Sequence, residues 1–280
     1  MTLAIRRLMA DDVEPVARVA SAAYGRPTSI GELDRYLALQ PDGWLVAEWE
    51  GVTAGVVGAI DYGPRAWVGL MAVDPPLQGR GIARALMETL LEWLDDRHCP
   101  TVVLDASVTG APLYEKLGFV DCDLVDAYRL TDPNPAPAGT ATARFTEPYL
   151  AEAMALDTAA FGHDRGAMLP GFLADYGERA FVHRNSLGVL DGYLIAQAFR
   201  IGPWVATSPA AAQDLLGAAL ALPYSDAPTV LIPRANSAGI ALLANQGFAP
   251  QRSLRHMIRG VALTGDRRDL RYGQASFTLG

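Results

Sequence analysis

The stretch from Trp67 to Leu94 constrains the fold of this chain more than any other part of it. Residues 67–73 form an apolar run of strand length, and a turn with two prolines follows at 74–77. Gln78–Ala83 reads Gln-Gly-Arg-Gly-Ile-Ala and leads directly into a segment with apolar residues at helical spacing. The sequence therefore predicts a strand, a tight glycine loop and a long helix in immediate succession.

This strand–loop–helix unit predicts an anion-binding site, although alone it could be an ordinary connection. N–H groups in the first turn of a helix lack partners within the helix, and the helix dipole favours negative charge there. Gly79 and Gly81 would let the backbone approach a ligand, because neither carries a Cβ. We expect a phosphate or pyrophosphate. The loop lacks the Gly-Lys-Ser/Thr of a P-loop, and Arg84 stands where a dinucleotide-binding fold has its third glycine.

Three linked motifs make the N-terminal half similar to a known family. They are Val73-Asp74-Pro75; Gln78–Ala83, which fits Gln/Arg-x-x-Gly-x-Gly/Ala; and Leu113–Phe119, in the family's order and at about its spacing. With them, this half resembles the GCN5-related N-acetyltransferases (GNAT). The resemblance implies an α/β fold with a mixed sheet. It also implies acetyl-CoA as co-substrate and transfer of the acetyl group to a primary amine by direct attack in a ternary complex.

The resemblance also implies which residues hold the coenzyme. The pyrophosphate would lie on Gln78, Gly79, Arg80, Gly81, Ile82 and Ala83. Backbone groups of Leu70, Met71, Ala72 and Val73 would pair with the pantetheine arm as with an added strand. An N–H of Met71 or Ala72 would stabilise the oxyanion. The Asn with which the family contacts the coenzyme is absent here, and Ser107 or Thr109 would substitute for it.

Tyr114 is the first candidate catalytic residue. It lies four residues before Gly118, where many members of the family hold a tyrosine near the coenzyme A sulfur. A phenol, with a pKa of about 10, can donate a proton to the departing thiolate. The alternative is a tyrosine that only packs on its ring. For the general base, Asp105 at the end of a predicted strand is the nearest candidate, and Glu48 and Asp61 are others; a water chain is the usual alternative.

The 280-residue chain is long enough for two domains. We predict an acetyltransferase domain at 1–130 with the order βααβββαβαβ, a Pro- and Ala-rich linker at 131–142, and a second domain at 143–280 that repeats the first in outline. Gly247-Phe248 lies 129 residues after Gly118-Phe119, which supports two tandem GNAT-like folds.

The second copy differs where the chemistry is expected. The segment equivalent to the glycine loop, residues 207–214, contains no glycine, and Leu243 stands in the place of Tyr114. Asn236 does resemble the coenzyme-contacting Asn. We therefore interpret the second half as a degenerate copy that supports the first and is a poor acetyl-CoA site.

Two further segments of the second half carry hypotheses. Phe161–Arg165 resembles a segment of a bacterial group of two-domain acetyltransferases. A substrate role there competes with a helix-capping Asp164 and a surface His163. The alternating residues 270–279 predict a strand added to a sheet edge, either within the chain or across a homodimer.

Composition excludes several functions. The formal net charge of −8 disfavours binding to nucleic acid or an anionic membrane. No apolar run approaches the roughly 20 residues of a membrane span, and the N-terminus has no signal-peptide pattern, so we expect a cytoplasmic protein. The two cysteines form neither a metal-ligand nor a disulfide pattern, and no metal is expected. The acceptor is a small-molecule or peptide amine that the sequence does not identify. A non-enzymatic acyl-CoA sensor or interaction module is the competing hypothesis.

Overall fold

The computed structural model of the protein describes residues 2–132, 141–262 and 264–280, so most of the predicted linker, residues 133–140, lies outside the described residues. The strands are β1 Leu3–Arg7, β2 Trp44–Trp49, β3 Val52–Asp61, β4 Ala66–Val73, β5 Thr101–Ala106, β6 Val120–Leu130, β7 Thr142–Arg144, β8 Ala180–Arg184, β9 Leu190–Ala196, β10 Ile201–Ala206, β11 Thr229–Pro233, β12 Phe248–Gly260 and β13 Arg271–Gly273. The helices are α1 Val13–Tyr24, α2 Ile30–Leu39, α3 Ile82–Asp96, α4 Ala111–Lys116, α5 Leu150–Phe161, α6 Met168–Tyr176, α7 Pro209–Leu220 and α8 Ser237–Asn245.

The strands form two sheets, and the mixed α/β fold class is confirmed. The larger sheet has eight strands in the order β1-β2-β3-β4-β5-β12-β6-β11, and the smaller has five in the order β13-β10-β9-β8-β7. In the larger sheet β4 and β5 pair in parallel, whereas the other neighbouring strands pair antiparallel. A parallel pair needs a crossover connection, which α3 supplies.

The two halves of the chain exchange their last long strands. In the larger sheet, β12 of the second half lies between β5 and β6 of the first, and β6 pairs with β11 on its other side. Two tandem copies were predicted, but this exchange was not, since nothing local in a strand specifies which copy it joins. The sheet is therefore continuous across both halves.

The hydrophobic core follows the same pattern. One cluster joins side chains of α1, α2 and β4 to side chains of α5, α6 and β9, so it crosses between the halves. A second cluster lies under α3, whose buried face carries Ile82, Leu86, Leu90 and Leu94 at helical spacing. Helix α3 begins at Gly81, where a backbone φ of +84° is available to glycine at little cost.

The end of the chain adds a strand within the molecule, as one of the two predicted alternatives, but only Arg271–Gly273 of the predicted residues 270–279 form it. Strand β13 pairs with β10 through Trp204↔Gly273 and Val205↔Arg271. The backbone N–H of Gln274 then donates to the carbonyl of Leu231 on β11 at 2.8 Å. The C-terminal segment therefore lies between β10 and β11, and the residues after it return to the first half.

Candidate active site

The first half contains a cleft between two parallel strands that separate. Strands β4 and β5 are paired only at Ala66↔Val102 and Trp67↔Val103. Beyond this point β5 continues alongside β12, while residues 68–73 of β4 have no strand on that side among the described residues. An unpaired strand edge presents backbone donors and acceptors to an extended ligand.

A bulge shapes the open edge of β4. Gly58 and Val56 of β3 face Gly69 and Ala72, so Leu70 and Met71 together oppose one residue of β3. Leu70 has a φ of +56°, which is uncommon for a residue with a side chain. The hydroxyl of Tyr24 donates to the Met71 carbonyl at 3.0 Å. The bulge therefore redirects the backbone where the sequence predicts the oxyanion donor.

The glycine loop lies at the far end of the same strand. The side-chain amide of Gln78 donates to the Val73 carbonyl at 3.1 Å, which ties the loop to the end of β4. Gly79 and Gly81 have φ values of +77° and +84°, and a Cβ on either would project into open space. Gly81 has no side chain to cap the first turn of α3. The N–H groups of this turn are therefore available to an anion.

These elements line one cavity of about 630 Å³. The predicted coenzyme residues that line it are Leu70, Met71, Ala72, Val73, Gln78, Gly79, Gly81, Ile82, Ala83 and Ser107. The predicted catalytic residues Tyr114 and Asp105 line it as well. Arg80 is not among the lining residues, and its guanidinium lies 5.5 Å from the centroid of the Trp49 ring. The predicted site residues that line this cavity come from β4, the glycine loop, α3, β5, the turn at Ser107 and α4.

Tyr114 is buried beside the cavity. Its ring packs edge-on against Phe119 at a centroid distance of 6.0 Å, and within the described ranges its hydroxyl has no hydrogen-bond partner. Burial raises the pKa of Tyr114 to about 12, so the phenol stays protonated near neutral pH. In the described part of the chain its hydroxyl therefore remains free to donate a proton to a ligand.

Asp105 is held by residues of the second half. Its Oδ1 accepts a hydrogen bond from Nδ1 of His256 on β12 at 2.7 Å, and its Oδ2 accepts one from the amide of Gln274 at 3.3 Å. The His256 ring lies against the indole of Trp67 at 5.2 Å. Burial lowers the pKa of His256 to about 4, so its imidazole is neutral near pH 7.

The other predicted acids lie elsewhere. Glu48 accepts hydrogen bonds from Arg6, and Asp61 pairs with Arg97 at 2.7 Å; neither lines the cavity. Ser107 accepts a hydrogen bond from the N–H of Gly110 at 3.1 Å and lies 3.1 Å from the Thr109 hydroxyl. It therefore orders the turn that opens α4.

Several residues that line the cavity were not predicted. Tyr24, Arg26, Thr28 and Glu32 come from α1, α2 and the connection between them. Other lining residues come from the second half: Arg200, Arg252, Leu254, Ser276, Phe277 and Thr278. Phe277 is anchored because its carbonyl accepts a hydrogen bond from the Trp67 indole at 3.2 Å. No local motif could reveal Arg252, Leu254 and Ser276–Thr278, because they reach the cavity through the strand exchange and the returning C-terminus.

The corresponding place in the second half is filled. Strand β13 pairs with β10, and Gln274 bonds to β11, between the strands that match β4 and β5. The Ser208 hydroxyl caps α7 by accepting from the N–H of Ala211 at 3.2 Å. Asn236 is buried and its amide is used in capping α8 and in donating to the Arg271 carbonyl. The backbone edge and the helix N-terminus that are open in the first half are both occupied here.

Phe161–Arg165 does not reach the cavity. Asp164 accepts from the N–H of Gly166 in a local turn. His163 is buried, so its prediction as a surface residue was wrong. Arg165 is fully buried and pairs with Asp157 at 2.9 Å. The segment therefore has a structural role, because Arg165 pairs with the buried Asp157 of α5.

Among the residues that the structure describes, no helix has the length and apolar character needed to cross a membrane. In the same ranges no group of three or more His, Cys, Asp or Glu side chains could hold a metal ion.

Both halves match known family models. Residues 13–119 match the Acetyltransferase (GNAT) family, and residues 153–273 match an Acetyltransferase (GNAT) domain. An acetyltransferase of Pectobacterium atrosepticum is 40% identical over 107 residues, which is 35% of this chain and 74% of that protein. A mycothiol acetyltransferase of Acidothermus cellulolyticus is 36% identical over 98 residues, which is 28% of this chain and 30% of that protein.

Solved structures extend the similarity to the whole chain. A Pyrococcus horikoshii protein assigned as an acetyltransferase has a TM-score of 0.87 and 28% identity, covering 99% of this chain and 96% of that one. A tandem GNAT protein from the clavulanic acid biosynthesis pathway has a TM-score of 0.65 at 17% identity, covering 94% and 100%; this second likeness concerns the fold alone.

The fold, the cleft and these matches define an acetyl-transferring enzyme built from two similar domains. The chain belongs to the acetyltransferase (GNAT) family.

Proposed function

We propose that the cleft of the first half, residues 1–130, binds acetyl-CoA and transfers its acetyl group to a primary amine in a ternary complex. The observation that carries this proposal is the open edge of β4, residues 68–73, which leads directly to the uncapped N-terminus of α3. An extended arm that ends in a pyrophosphate matches such a surface at both ends, because the edge offers strand pairing and the helix offers free N–H groups.

The residues divide the binding task. Gly79, Gly81 and the first turn of α3 would hold the pyrophosphate, and Leu70–Val73 would pair with the pantetheine arm. A backbone N–H at the bulge, at Met71 or Ala72, would donate to the oxyanion of the tetrahedral intermediate. The bond from Tyr24 to the Met71 carbonyl supports this role, because it fixes the backbone there.

Two side chains would move the protons. The amine nitrogen attacks the thioester carbon, and the carbon–sulfur bond breaks as the amide forms. Tyr114 would donate its proton to the departing sulfur, since burial keeps its phenol protonated. Asp105 would accept the proton that the amine loses. Its contacts with His256 and Gln274 support this role, because they hold the carboxylate at the cavity wall without an arginine partner.

We further propose that the second half is not catalytic. Strand β13 fills the space between β10 and β11, and Ser208 caps the helix whose N-terminus would otherwise be available to a phosphate. It instead completes the site of the first half, because it supplies His256 and Gln274 to Asp105, and Ser276–Thr278 to the cavity wall. We expect one coenzyme site per chain.

Isothermal titration with acetyl-CoA and free-thiol release over a panel of amines test this function. We expect one site per chain in the titration and thiol release that depends on an amine. Gly81→Glu should abolish binding, because a carboxylate would project into the space proposed for the pyrophosphate. A matched change in the second half, Ala210→Glu, should leave binding intact. Two sites per chain would refute the assignment of roles, and binding without turnover on any amine would favour an acyl-CoA sensor.

A further inference from the structure

One wall of the cavity is basic, although the protein as a whole carries a formal net charge of −8. Arg26, Arg200 and Arg252 all line this wall, and Glu32 is the acidic residue beside them. Arg26 follows α1, whereas Arg200 and Arg252 come from the second half. The charge of this wall is therefore a local feature that the composition does not reveal.

The three arginines lack acidic partners. In the described part of the chain none of them forms a salt bridge; Arg26 lies over the ring of Tyr24 and Arg252 over the ring of Phe277, at 5.8 and 5.3 Å from the centroids. Burial lowers the pKa of Arg200 and of Arg252, and the charge of Arg26 acts on both in the same direction. Guanidinium groups that form no salt bridge are a favourable place for an anionic ligand.

Two buried polar side chains on this wall have unused hydrogen-bonding capacity. Arg200 is 5% exposed, and although its Nη1 donates to the Ala275 carbonyl at 3.1 Å, its Nε has no acceptor among the described residues. Thr28 is 8% exposed, and its hydroxyl likewise has no partner in those ranges. Buried polar groups are normally satisfied, so both indicate a ligand or ordered water that completes them.

This wall is separated from the proposed pyrophosphate site. The Trp67 indole bonds to Phe277, and a Cβ on Gly69 would meet Thr278, so the C-terminal residues lie at the start of β4. The glycine loop is tied to Val73 at the other end. The four residue steps from Gly69 to Val73 would span about 13 Å in a regular strand. The arginines therefore lie on the side where the acceptor would enter.

Glu32 has a different character from the arginines. Its Oε1 accepts a hydrogen bond from the Tyr36 hydroxyl at 2.7 Å, which fixes it on the same wall. Among the charged neighbours of Arg200, Glu32 has the largest effect on the pKa of that guanidinium, which it raises. A ligand with both a cationic and an anionic end would find complementary charges here.

We propose that the acceptor is a small-molecule amine that also carries a carboxylate or phosphate group, bound by Arg26, Arg200 and Arg252, with Glu32 facing its amine end. This inference rests on the proposed function of the cleft and specifies its substrate class. The buried residues Ser276 and Thr278 form part of this wall, and a side covered by the C-terminal residues favours a small molecule over a protein chain.

A panel of four amines of similar length tests the class: γ-aminobutyrate, 2-aminoethyl phosphate, butylamine and putrescine. We expect kcat/KM for thiol release with at least one of the two anionic amines to exceed that with butylamine by about tenfold or more, the effect of one charge-assisted contact. The first two amines also separate carboxylate from phosphate as the bound group.

Charge reversal provides the second arm. Arg252→Glu should lower kcat/KM for the preferred anionic amine by about tenfold or more and raise it for putrescine. Arg200→Lys, which keeps the charge but loses the planar fork, should raise KM more than it lowers kcat. Arg129→Met is the matched control, because Arg129 pairs with Asp226 outside the cavity and should have no effect.

The outcomes separate this inference from the function on which it rests. Equal kcat/KM for butylamine and the anionic amines, or no turnover of either anionic amine by a chain that binds acetyl-CoA, would overturn the substrate class alone. Weaker acetyl-CoA binding by Arg252→Glu in titration would also overturn it, because the arginines would then serve the coenzyme. Failure of the wild-type chain to bind acetyl-CoA would instead overturn the proposed function.

Discussion

Nδ1 of His256 on β12 donates to Oδ1 of Asp105 on β5 across 2.7 Å, and this bond joins the second half of the chain to the cavity of the first. Both side chains are almost completely shielded from solvent. The proposed general base therefore depends on a residue of the second half that is distant in sequence. The second half is part of the site because it supplies that partner.

The buried His256 predicts a loss of stability in acid. Its pKa of about 4 lies below the ordinary value of 6.5, so the unfolded chain binds more protons between these values. The contribution to stability is complete above pH 6.5 and is lost as the pH falls to 4, on the order of 3 kcal/mol. His256→Gln should flatten this part of the pH profile of urea denaturation. His163, with a pKa lowered to about 3, leaves a residual slope in the variant. An identical profile in the variant would contradict the prediction.

Removal of the Tyr114 hydroxyl should slow the chemical step. Tyr114→Phe should lower kcat by about 100-fold, the lower end of the usual range for general acid catalysis, without weakening acetyl-CoA binding. Because burial raises the pKa of Tyr114 to about 12, the wild-type rate should show no alkaline loss from this group below about pH 11. Thiol-release kinetics from pH 6 to pH 10 measure both effects.

Tyr224→Phe is the control, because it removes a hydroxyl that donates to the Ala219 carbonyl, and neither residue lines the cavity. A kcat equal to that of wild type would assign Tyr114 to packing.

The C-terminal residues should stabilise the fold as well as line the cavity. Leu279 is fully buried in the cluster that crosses between the halves, and its carbonyl accepts a hydrogen bond from Arg165 at 3.0 Å. Leu279→Ala should lower the free energy of unfolding by about 2–5 kcal/mol. Leu187→Ala, at a position that is 85% exposed, should have little effect. Chemical denaturation of the two variants measures their free energies of unfolding. Equal values would mean that the C-terminal residues do not pack in the core in solution.

Local patterns in the sequence predicted the strand, the glycine loop and the helix that line the proposed coenzyme side of the site. The strand, the glycine loop and α3 are adjacent in the chain, so the spacing of Gly79, Gly81 and Leu86 determines their arrangement. Tyr114 was likewise placed by a short motif next to Phe119. Such features depend on propensity and local geometry, which single-sequence analysis can evaluate.

The acceptor side could not be predicted in this way. Arg252 and Thr278 reach the cavity because β12 enters the sheet of the first half and the C-terminus returns to β4. Arg200 comes from the β9–β10 connection of the second half. Glu48 and Asp61 were further candidate bases in the sequence after Asp105, but their side chains pair with arginines outside the cavity. Pairing between residues distant in sequence determines where these side chains lie, and the hydrophobic periodicity of a single sequence does not predict it.

The strand exchange makes a prediction about the isolated first half. A chain of residues 1–130 would retain β5 and β6 but lack β12, which pairs with both of them through long antiparallel registers. Strand β5 would keep one unpaired edge, and β6, which also loses β11, would keep two; such edges promote association. We expect this fragment to be far less stable than the full chain or to dimerise by pairing β5 of one copy with β6 of another. Light scattering coupled to size-exclusion chromatography, together with thermal denaturation, distinguishes these states. A stable monomeric fragment that bound acetyl-CoA with full affinity would contradict the prediction, because β12 would then be dispensable to the sheet that holds Asp105.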